Sequence, residues 1–355
     1  MEKPYLSQQL RNHLQSGVVI PAHPLALNAE RKIDEEKQRR LTGYYMASGA
    51  GGIAIGVHTT QFEIRDPKIN LYETVLQLAS EEIVKGSLDQ PFLKVAGICG
   101  PTSQAIKEAE LAVKYGYDMG LLSMGGLQGW TEEEILERVK IIADIIPVFG
   151  FYLQPSVGGR TFSYNFWQQF VEIENVEAIK VAAFNRYQTL DVMRAVVNSS
   201  RRDSIAMYTG NDDNIIADLL TVYRFTVNGQ IIEKTFSGGL LGHWAVWTKK
   251  AVELLEEIKG YHKNKTDKKA DHLLTKGIAI TDMNAALFDP SHGFHGCIAG
   301  IHEVLRRQGL LEGRWCLNPE EDLSLGQMEE INRVYKNYPE LNDDDFVKEF
   351  LKSEL

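Results

Sequence analysis

The chain has 355 residues, of which 44% are hydrophobic and 24% charged, so its composition is that of a globular protein with enough apolar material for a large core. Its 38 basic and 48 acidic side chains give a net charge of -10 without any basic block, which argues against nucleic acid as a partner. No run of about 18 uncharged apolar residues occurs, so no membrane partner is predicted.

Short apolar runs alternate with longer stretches of helical periodicity along most of the chain. Eight runs are typical of buried strands: 17–20, 52–55, 92–96, 119–122, 148–152, 176–181, 204–208 and 239–241. Intervening helices are predicted over 102–115, 132–145, 164–173, 187–198 and 213–223, each opened or preceded by a candidate cap residue. Eight such units favour an α/β fold of the TIM (β/α)8 barrel type, because open doubly wound sheets more often end at five or six strands.

The last part of the chain lacks this alternation. After Gly260 a polar stretch, residues 263–269, leads into sequence of helical character without an obvious strand. We therefore predict a barrel catalytic domain over residues 1–260 and a helical C-terminal extension over residues 261–355. The widely spaced Cys99, Cys297 and Cys316 cannot build a disulfide framework or a CxxC metal site, which favours a cytoplasmic location.

Lys180 is the reactive side chain that a barrel hypothesis singles out. Alternation along the sixth strand directs Ile179 and Val181 toward the helices and Lys180 toward the barrel interior, between two alanines. A poorly hydrated lysine has a lowered pKa and can form a Schiff base, whereas a snorkelling or ion-paired lysine, as expected for Lys94, cannot. The same parity sends Tyr152 on the fifth strand inward beside Lys180, where its hydroxyl would either relay protons or fill a barrel layer.

Five segments in chain order resemble the dihydrodipicolinate synthase / N-acetylneuraminate lyase family of class I, Schiff-base aldolases, from about residue 15 to about residue 260. These segments are 57–60, 95–102, 151–161, 176–180 and 208–212. The resemblance implies an imine between Lys180 and the keto group of pyruvate or a related 2-oxo acid. Tyr152 would be the general acid/base and Thr59 would pass protons to it. The resemblance also implies no metal or organic cofactor, and a homotetramer or homodimer.

Substrate-binding residues are implied in part by the resemblance and in part by the position of His58 and His243 at the predicted rim of the barrel. Backbone groups of Thr59 and Thr60 would hold the substrate carboxylate, and further contacts are predicted for His58, Arg160, Gly210, Leu241 and His243.

Several segments near these residues depart from the family pattern. Gln61-Phe62 replaces the Gly-Glu that usually follows the threonines, loop 123–130 has no tyrosine, residues 157–159 are additional, and Gly242-His243-Trp244 ends the eighth strand. Because these changes spare the imine-forming residues, we expect a reaction other than dihydrodipicolinate synthesis.

Three alternatives follow from the residues themselves. His23, His58 and His243 end strands that barrel closure makes neighbours, so they would either bind a metal in a hydrolase or metal-assisted aldolase, or recognise a polar substrate tail. The histidine-rich segment 289–297 is either a metal site or a tight turn between helices, and its glycines favour the turn. A barrel that binds a 2-oxo acid without catalysis is a third class of function.

Overall fold

The computed structural model describes residues 4–264 and 267–353. Its strands are β1 (Val19–Pro21), β2 (Gly52–Ile55), β3 (Leu93–Ile98), β4 (Met119–Ser123), β5 (Val148–Leu153), β6 (Val176–Ala182), β7 (Ala206–Thr209), β8 (Tyr223–Val227), β9 (Gln230–Lys234) and β10 (Gly238–Leu241). Its helices are α1 (Gln8–Ser16), α2 (Glu35–Ala47), α3 (Tyr72–Gly86), α4 (Thr102–Lys114), α5 (Glu132–Ala143), α6 (Tyr164–Phe170), α7 (Arg186–Asn198), α8 (Ile215–Leu220), α9 (Thr248–Asn264), α10 (Asp267–Phe288), α11 (Cys297–Arg307), α12 (Gln327–Asn337) and α13 (Asp344–Ser353). Short 3-10 turns lie at His58–Thr60, Phe62–Arg65, Pro155–Val157, His243–Ala245, Pro290–His292 and Pro339–Leu341.

Eight strands form one sheet in the order β1-β10-β7-β6-β5-β4-β3-β2. The two strands at the ends of this order also meet, because the amide of His23 donates to the Ala54 carbonyl over 2.8 Å and the amide of Gly51 donates to the Val19 carbonyl over 3.0 Å. This contact closes the sheet. The fold is a TIM (β/α)8 barrel with a helical C-terminal extension, so the predicted fold class is confirmed, and all eight predicted strands belong to the barrel.

Cap residues set where the crossover helices begin. Thr131 and Glu134 form a capping box at α5, in which the Glu134 amide donates to Thr131 Oγ1 over 3.1 Å and the Thr131 amide donates to Glu134 Oε2 over 2.7 Å. Ser163 caps α6 and Asn185 caps α7 through their side-chain oxygens. These helices therefore begin within one residue of their predicted starts.

The helix predicted over 213–223 is three residues too long at its C-terminal end. Helix α8 ends at Leu220, and Tyr223 begins an antiparallel hairpin formed by β8 and β9. The hairpin turns at Asn228 and Gly229, whose φ angles of 50° and 79° are those that an Asn-Gly turn supplies most easily. That dipeptide was the signal in the sequence for these two strands.

The chain divides into two compact units. One unit comprises the residues up to Val18 together with Leu93–Leu240, and the other comprises Val19–Phe92 together with the residues from Leu241 onward. The predicted boundary at residue 260 stays a prediction. Helix α9 runs through that position, and residues 265 and 266 of the predicted polar stretch lie outside the described residues.

The C-terminal residues are anchored within the second unit. Buried Asp343 accepts hydrogen bonds from Tyr44 Oη over 2.7 Å, from Gln308 Nε2 over 2.8 Å and from the Lys249 amide over 3.1 Å. Within the part of the chain that is described, no helix combines the length and the apolar character needed to cross a membrane.

Candidate active site

Lys180 lies in the middle of β6 and points into the barrel. The opposite face of the sheet is turned toward α6, since a methyl group added to Gly150 would lie 2.6 Å from Phe170 Cζ. The Lys180 stem instead lies against Gly210, where an added Cβ would be 2.4 Å from Lys180 Cε. Lys180 Nζ lies 4.5 Å from the centroid of the Phe151 ring, and the residue is only 8% exposed. The inward direction predicted for Lys180 is therefore observed.

Burial shifts the protonation equilibrium of the Lys180 amine toward the neutral form. It lowers the pKa of Lys180 from 10.5 to about 8, and the nearby Asp212 carboxylate acts in the opposite direction without cancelling the effect. At pH 7 an amine with this pKa is about 10% unprotonated, against about 0.03% for a lysine of ordinary pKa. Lys180 is therefore a far better nucleophile at neutral pH than an exposed lysine.

Tyr152 lies on the other face of the sheet. Its partner in β6 is Val181, whereas Phe151 is the residue that pairs with Lys180. The Tyr152 ring packs against Trp167 of α6, with 4.9 Å between the ring centroids, and burial raises the pKa of its hydroxyl to about 12. The prediction that Tyr152 points inward beside Lys180 is wrong.

A β-bulge in β6 determines which residue of β5 pairs with Lys180. The register of β5 and β6 runs Val148↔Val176, Phe149↔Ala178, Gly150↔Ile179, Phe151↔Lys180 and Tyr152↔Val181. Glu177 is the extra residue of this bulge, and if Glu177 were instead paired with Phe149, Tyr152 would pair with Lys180. The Glu177 carboxylate is held by the Arg11 guanidinium through hydrogen bonds of 2.7 Å and 3.0 Å. The bulge thus places Phe151, and not Tyr152, beside the Lys180 amine, and Tyr152 shares the helix-facing side of β5 with Gly150.

The loop after β7 carries Asp212 and is held by a buried carboxylate. Asp218 accepts hydrogen bonds from Thr209 Oγ1 over 2.7 Å and from Asn211 Nδ2 over 2.8 Å, and it forms an ion pair with Arg186. The Asp212 amide donates to the Gly210 carbonyl over 3.2 Å. This network fixes the position of the segment from Gly210 to Asp212. Gly210, at its start, is the residue that lies against the Lys180 stem.

Arg160 belongs to the same compact unit as Lys180, and its guanidinium contacts Trp130 and Phe162. Its Nη1 donates to the Trp130 carbonyl over 2.9 Å, and its guanidinium lies over the Phe162 ring at 5.2 Å from the centroid. Its predicted contact with substrate stays a prediction.

Thr59 and Thr60 come together in the second unit, in the turn that follows β2. Both residues are buried, and both hydroxyls donate to the His23 carbonyl, over 3.3 Å for Thr59 and 2.7 Å for Thr60. The Thr60 amide donates to the Val57 carbonyl over 3.0 Å. The ring of His58 lies 6.1 Å from that of Phe62, centroid to centroid.

The C-terminal extension contacts this same turn. Gln61, which follows the threonines with a left-handed φ of 67°, accepts a hydrogen bond at Oε1 from the Leu317 amide over 2.6 Å. Sequence reasoning missed this contact, although it identified Gln61 as a departure from the family pattern.

The three histidines proposed as metal ligands do not form a metal site. Both ring nitrogens of His23 are engaged, with the Pro24 carbonyl at 2.8 Å and Thr42 Oγ1 at 2.9 Å, and burial lowers its pKa to about 4. Across residues 4–264 and 267–353 no cluster of three or more His, Cys, Asp or Glu side chains is suited to hold a metal ion. The metal-based alternative is wrong for His23, His58 and His243, and segment 289–297 forms the predicted turn before α11.

Leu241 and His243 lie at the end of the eighth barrel strand. The Leu241 carbonyl accepts a hydrogen bond from the Ala22 amide over 3.2 Å, so its backbone serves strand pairing. His243 is buried, which lowers its pKa to about 4, and it borders a cavity of about 210 Å³ lined by residues of α9 and α10.

The chain is similar in sequence to two synthases. No protein-family profile matches the chain. Over 148 residues it is 29% identical to 4-hydroxy-tetrahydrodipicolinate synthase from Clostridium novyi, a match covering 40% of this chain and 48% of that enzyme. Over 212 residues it is 25% identical to the enzyme of the same name from Moorella thermoacetica, covering 59% of this chain and 68% of that enzyme. The chain thus spans about half the length of the first of these relatives.

Solved structures share the fold over nearly the whole chain. N-acetylneuraminate lyase from Fusobacterium nucleatum, complexed with pyruvate, superposes with a TM-score of 0.70 at 17% identity, covering 92% of this chain and 98% of the lyase. Dihydrodipicolinate synthase from Oceanobacillus iheyensis gives a TM-score of 0.72 at 18% identity, covering 93% of this chain and 98% of the synthase.

Proposed function

We propose that this chain, a divergent member of the dihydrodipicolinate synthase / N-acetylneuraminate lyase family, forms a Schiff base with pyruvate or a related 2-oxo acid. The relatives described above are lyases and synthases. The imine would serve aldol cleavage or condensation. A protonated imine accepts the electron pair of a neighbouring C–H or C–C bond, which allows that bond to break at neutral pH.

The observation that carries this proposal is the environment of Lys180. Its amine is buried inside the barrel, beside an aromatic ring, with a pKa lowered to about 8. Burial makes the charged form of this lysine less favourable, so the neutral form that attacks a ketone is more populated than in an exposed lysine.

The remaining roles are proposed from the family resemblance. Thr59 would pass protons, backbone groups of Thr59 and Thr60 would hold the carboxylate, and Arg160 would contact the substrate. We propose a reaction other than dihydrodipicolinate synthesis, because loop 123–130 has no tyrosine and the turn after β2 has Gln61 where the family has glycine. A homo-oligomeric assembly is proposed on the same resemblance, and a cytoplasmic location on the wide spacing of Cys99, Cys297 and Cys316.

Borohydride reduction in the presence of pyruvate tests the proposal directly. We expect a single reduced adduct, mapped by mass spectrometry to Lys180, and its loss in Lys180→Ala. Lys234 is a matched control, because burial also lowers its pKa to about 8, but its amine donates to the carbonyls of Arg202 and Ile205. Lys234→Ala should keep the adduct. An adduct on Lys234, or none with any 2-oxo acid, would overturn the proposal.

A second candidate is a protein that forms the imine but does not turn it over. The position of Tyr152 on the helix-facing side favours it, because the phenol assigned as acid/base does not face the amine. Incubation of protein that forms the reducible adduct with a panel of 2-oxo acids and aldehydes distinguishes an enzyme from a binding protein, since an enzyme consumes substrate and a binding protein does not.

A further inference from the structure

We propose that Gln61 is a positioning residue, through which the C-terminal extension holds the turn after β2 in the conformation that binds the carboxylate of the 2-oxo acid. This inference rests on the proposed function, which assigns that carboxylate to backbone groups of Thr59 and Thr60. Gln61 and the extension belong to the same compact unit.

The backbone of Gln61 is strained. Its φ of 67° and ψ of 122° lie outside the regions that a residue with a side chain normally adopts, whereas glycine takes such angles readily. A strained conformation of this kind persists only where the surrounding structure holds it, and such residues cluster at functional sites. Because Gln61 directly follows the two threonines, the contacts that hold its backbone also set the shape of the turn.

The side chain of Gln61 reaches the extension through one hydrogen bond. Its Oε1 accepts from the Leu317 amide over 2.6 Å, across 256 positions of the sequence, and the residue is only 1% exposed. Its Nε2 has no hydrogen-bond partner within residues 4–264 and 267–353, and a flipped amide would bring Nε2 against a second N–H donor. Backbone strain and an unpaired buried donor both oppose folding, so their presence at one residue points to a role in function.

The extension has a fixed position where it meets Gln61. The Arg31 guanidinium, from the loop after β1, donates to the Cys316 carbonyl. The Cys316 side chain is fully buried in a cluster with Ile298 of α11. Leu317 therefore presents its amide from a well-anchored segment, and Gln61 transmits that anchoring to the turn.

The hydroxyl of Thr60 is committed to the turn itself. It donates to the His23 carbonyl over 2.7 Å and accepts from the amides of Gly56 and Val57 over 3.0 Å and 3.3 Å. A hydroxyl has a single O–H, so this group has no proton left for a carboxylate. Substrate would depend on backbone N–H groups, whose directions follow the backbone conformation beside Gln61.

The test measures the pyruvate concentration that gives half-maximal trapping by cyanoborohydride in the wild type, Gln61→Gly and Gln61→Ala. Both variants lose the bond to Leu317, but glycine relieves the backbone strain and alanine keeps it. We expect the half-maximal concentration to rise about fivefold in Gln61→Gly, as for the loss of one hydrogen bond, and further in Gln61→Ala. The rate at saturating pyruvate and its pH midpoint should stay unchanged, because neither substitution alters the residues packed on Lys180.

Hydrogen exchange at the Leu317 amide reports on the contact directly. We expect exchange about fivefold faster in Gln61→Gly, since the amide loses its acceptor. In the wild type, the reduced pyruvate adduct should slow this exchange, because coupling between two sites is reciprocal.

Asp343→Ala is the control for stability. It loosens the extension just before α13 and leaves the contact between Gln61 and Leu317 in place, so its half-maximal concentration should equal that of the wild type. A rise in Asp343→Ala as large as that in Gln61→Gly would overturn the positioning role, as would a wild-type value in both Gln61 variants. Failure of the wild type to form any adduct on Lys180 would overturn the proposed function instead, so the two failures are distinguishable.

Discussion

Gly210 gives the sharpest test of how tightly the site holds Lys180. A Cβ built on Gly210 would lie 2.4 Å from Lys180 Cε, 2.9 Å from Ala182 Cβ and 3.0 Å from Lys180 Cγ. Carbon atoms in contact are normally about 3.5–4.0 Å apart. In Gly210→Ala the end of the lysine stem must therefore move by about 1 Å, because the Ala182 methyl is fixed to its strand and cannot make room.

The expected consequence falls on chemistry more than on folding. A displacement of about 1 Å at a reacting group lowers rates by about 100-fold, so trapping of pyruvate on Lys180 should slow by that factor. Overpacking of this kind costs about 1–3 kcal/mol of folding free energy, which urea denaturation measures. Gly260→Ala in α9 is the matched control, because an added Cβ there meets no atom within 4 Å; it should leave trapping unchanged and raise stability by up to about 1 kcal/mol, since alanine is the better helix former. A stable Gly210→Ala variant that traps pyruvate at the wild-type rate would refute the idea that Gly210 sets the position of the amine.

Three further outcomes are expected. The trapping rate should rise with pH to a midpoint near 8, because only the unprotonated amine attacks and burial holds the pKa of Lys180 below its ordinary 10.5; a midpoint near 10.5 would show a hydrated amine. Dialysis against EDTA should leave the adduct yield unchanged, since the rim histidines form no metal site, whereas loss of the adduct that zinc restores would contradict this. Asp343→Ala should lower the free energy of unfolding by about 3 kcal/mol in urea denaturation, because it removes a buried acceptor from the Tyr44 hydroxyl, the Gln308 side chain and the Lys249 backbone amide. Asp345→Ala on the exposed side of α13 should change it little; equal effects would argue against the anchor.

Much of the architecture could be read from the sequence because it is encoded locally. Apolar runs of strand length, helical periodicity and cap residues such as Thr131 act over a few positions, and together they predicted the eight barrel strands and the starts of α5, α6 and α7. The inward direction of Lys180 was equally local, since alternation along one strand and flanking alanines sufficed. The hairpin of β8 and β9 was also signalled locally, by Asn228-Gly229, and was overlooked.

Which residue faces Lys180 was decided only by tertiary structure. Alternation shows which residues of one strand share a face. Which residues of two strands lie side by side depends on the register of the strands, and a one-residue insertion accommodated as a bulge shifts by one the pairing expected from counting residues. Here that insertion is Glu177, held by Arg11 from 166 residues away along the chain, so no local pattern marks it. The same is true of Asp212 and of the contact between Leu317 and Gln61, because distant segments meet there only when the chain has folded. The reactive amine is thus a property of its own strand, whereas its partners depend on how the strands and loops come together.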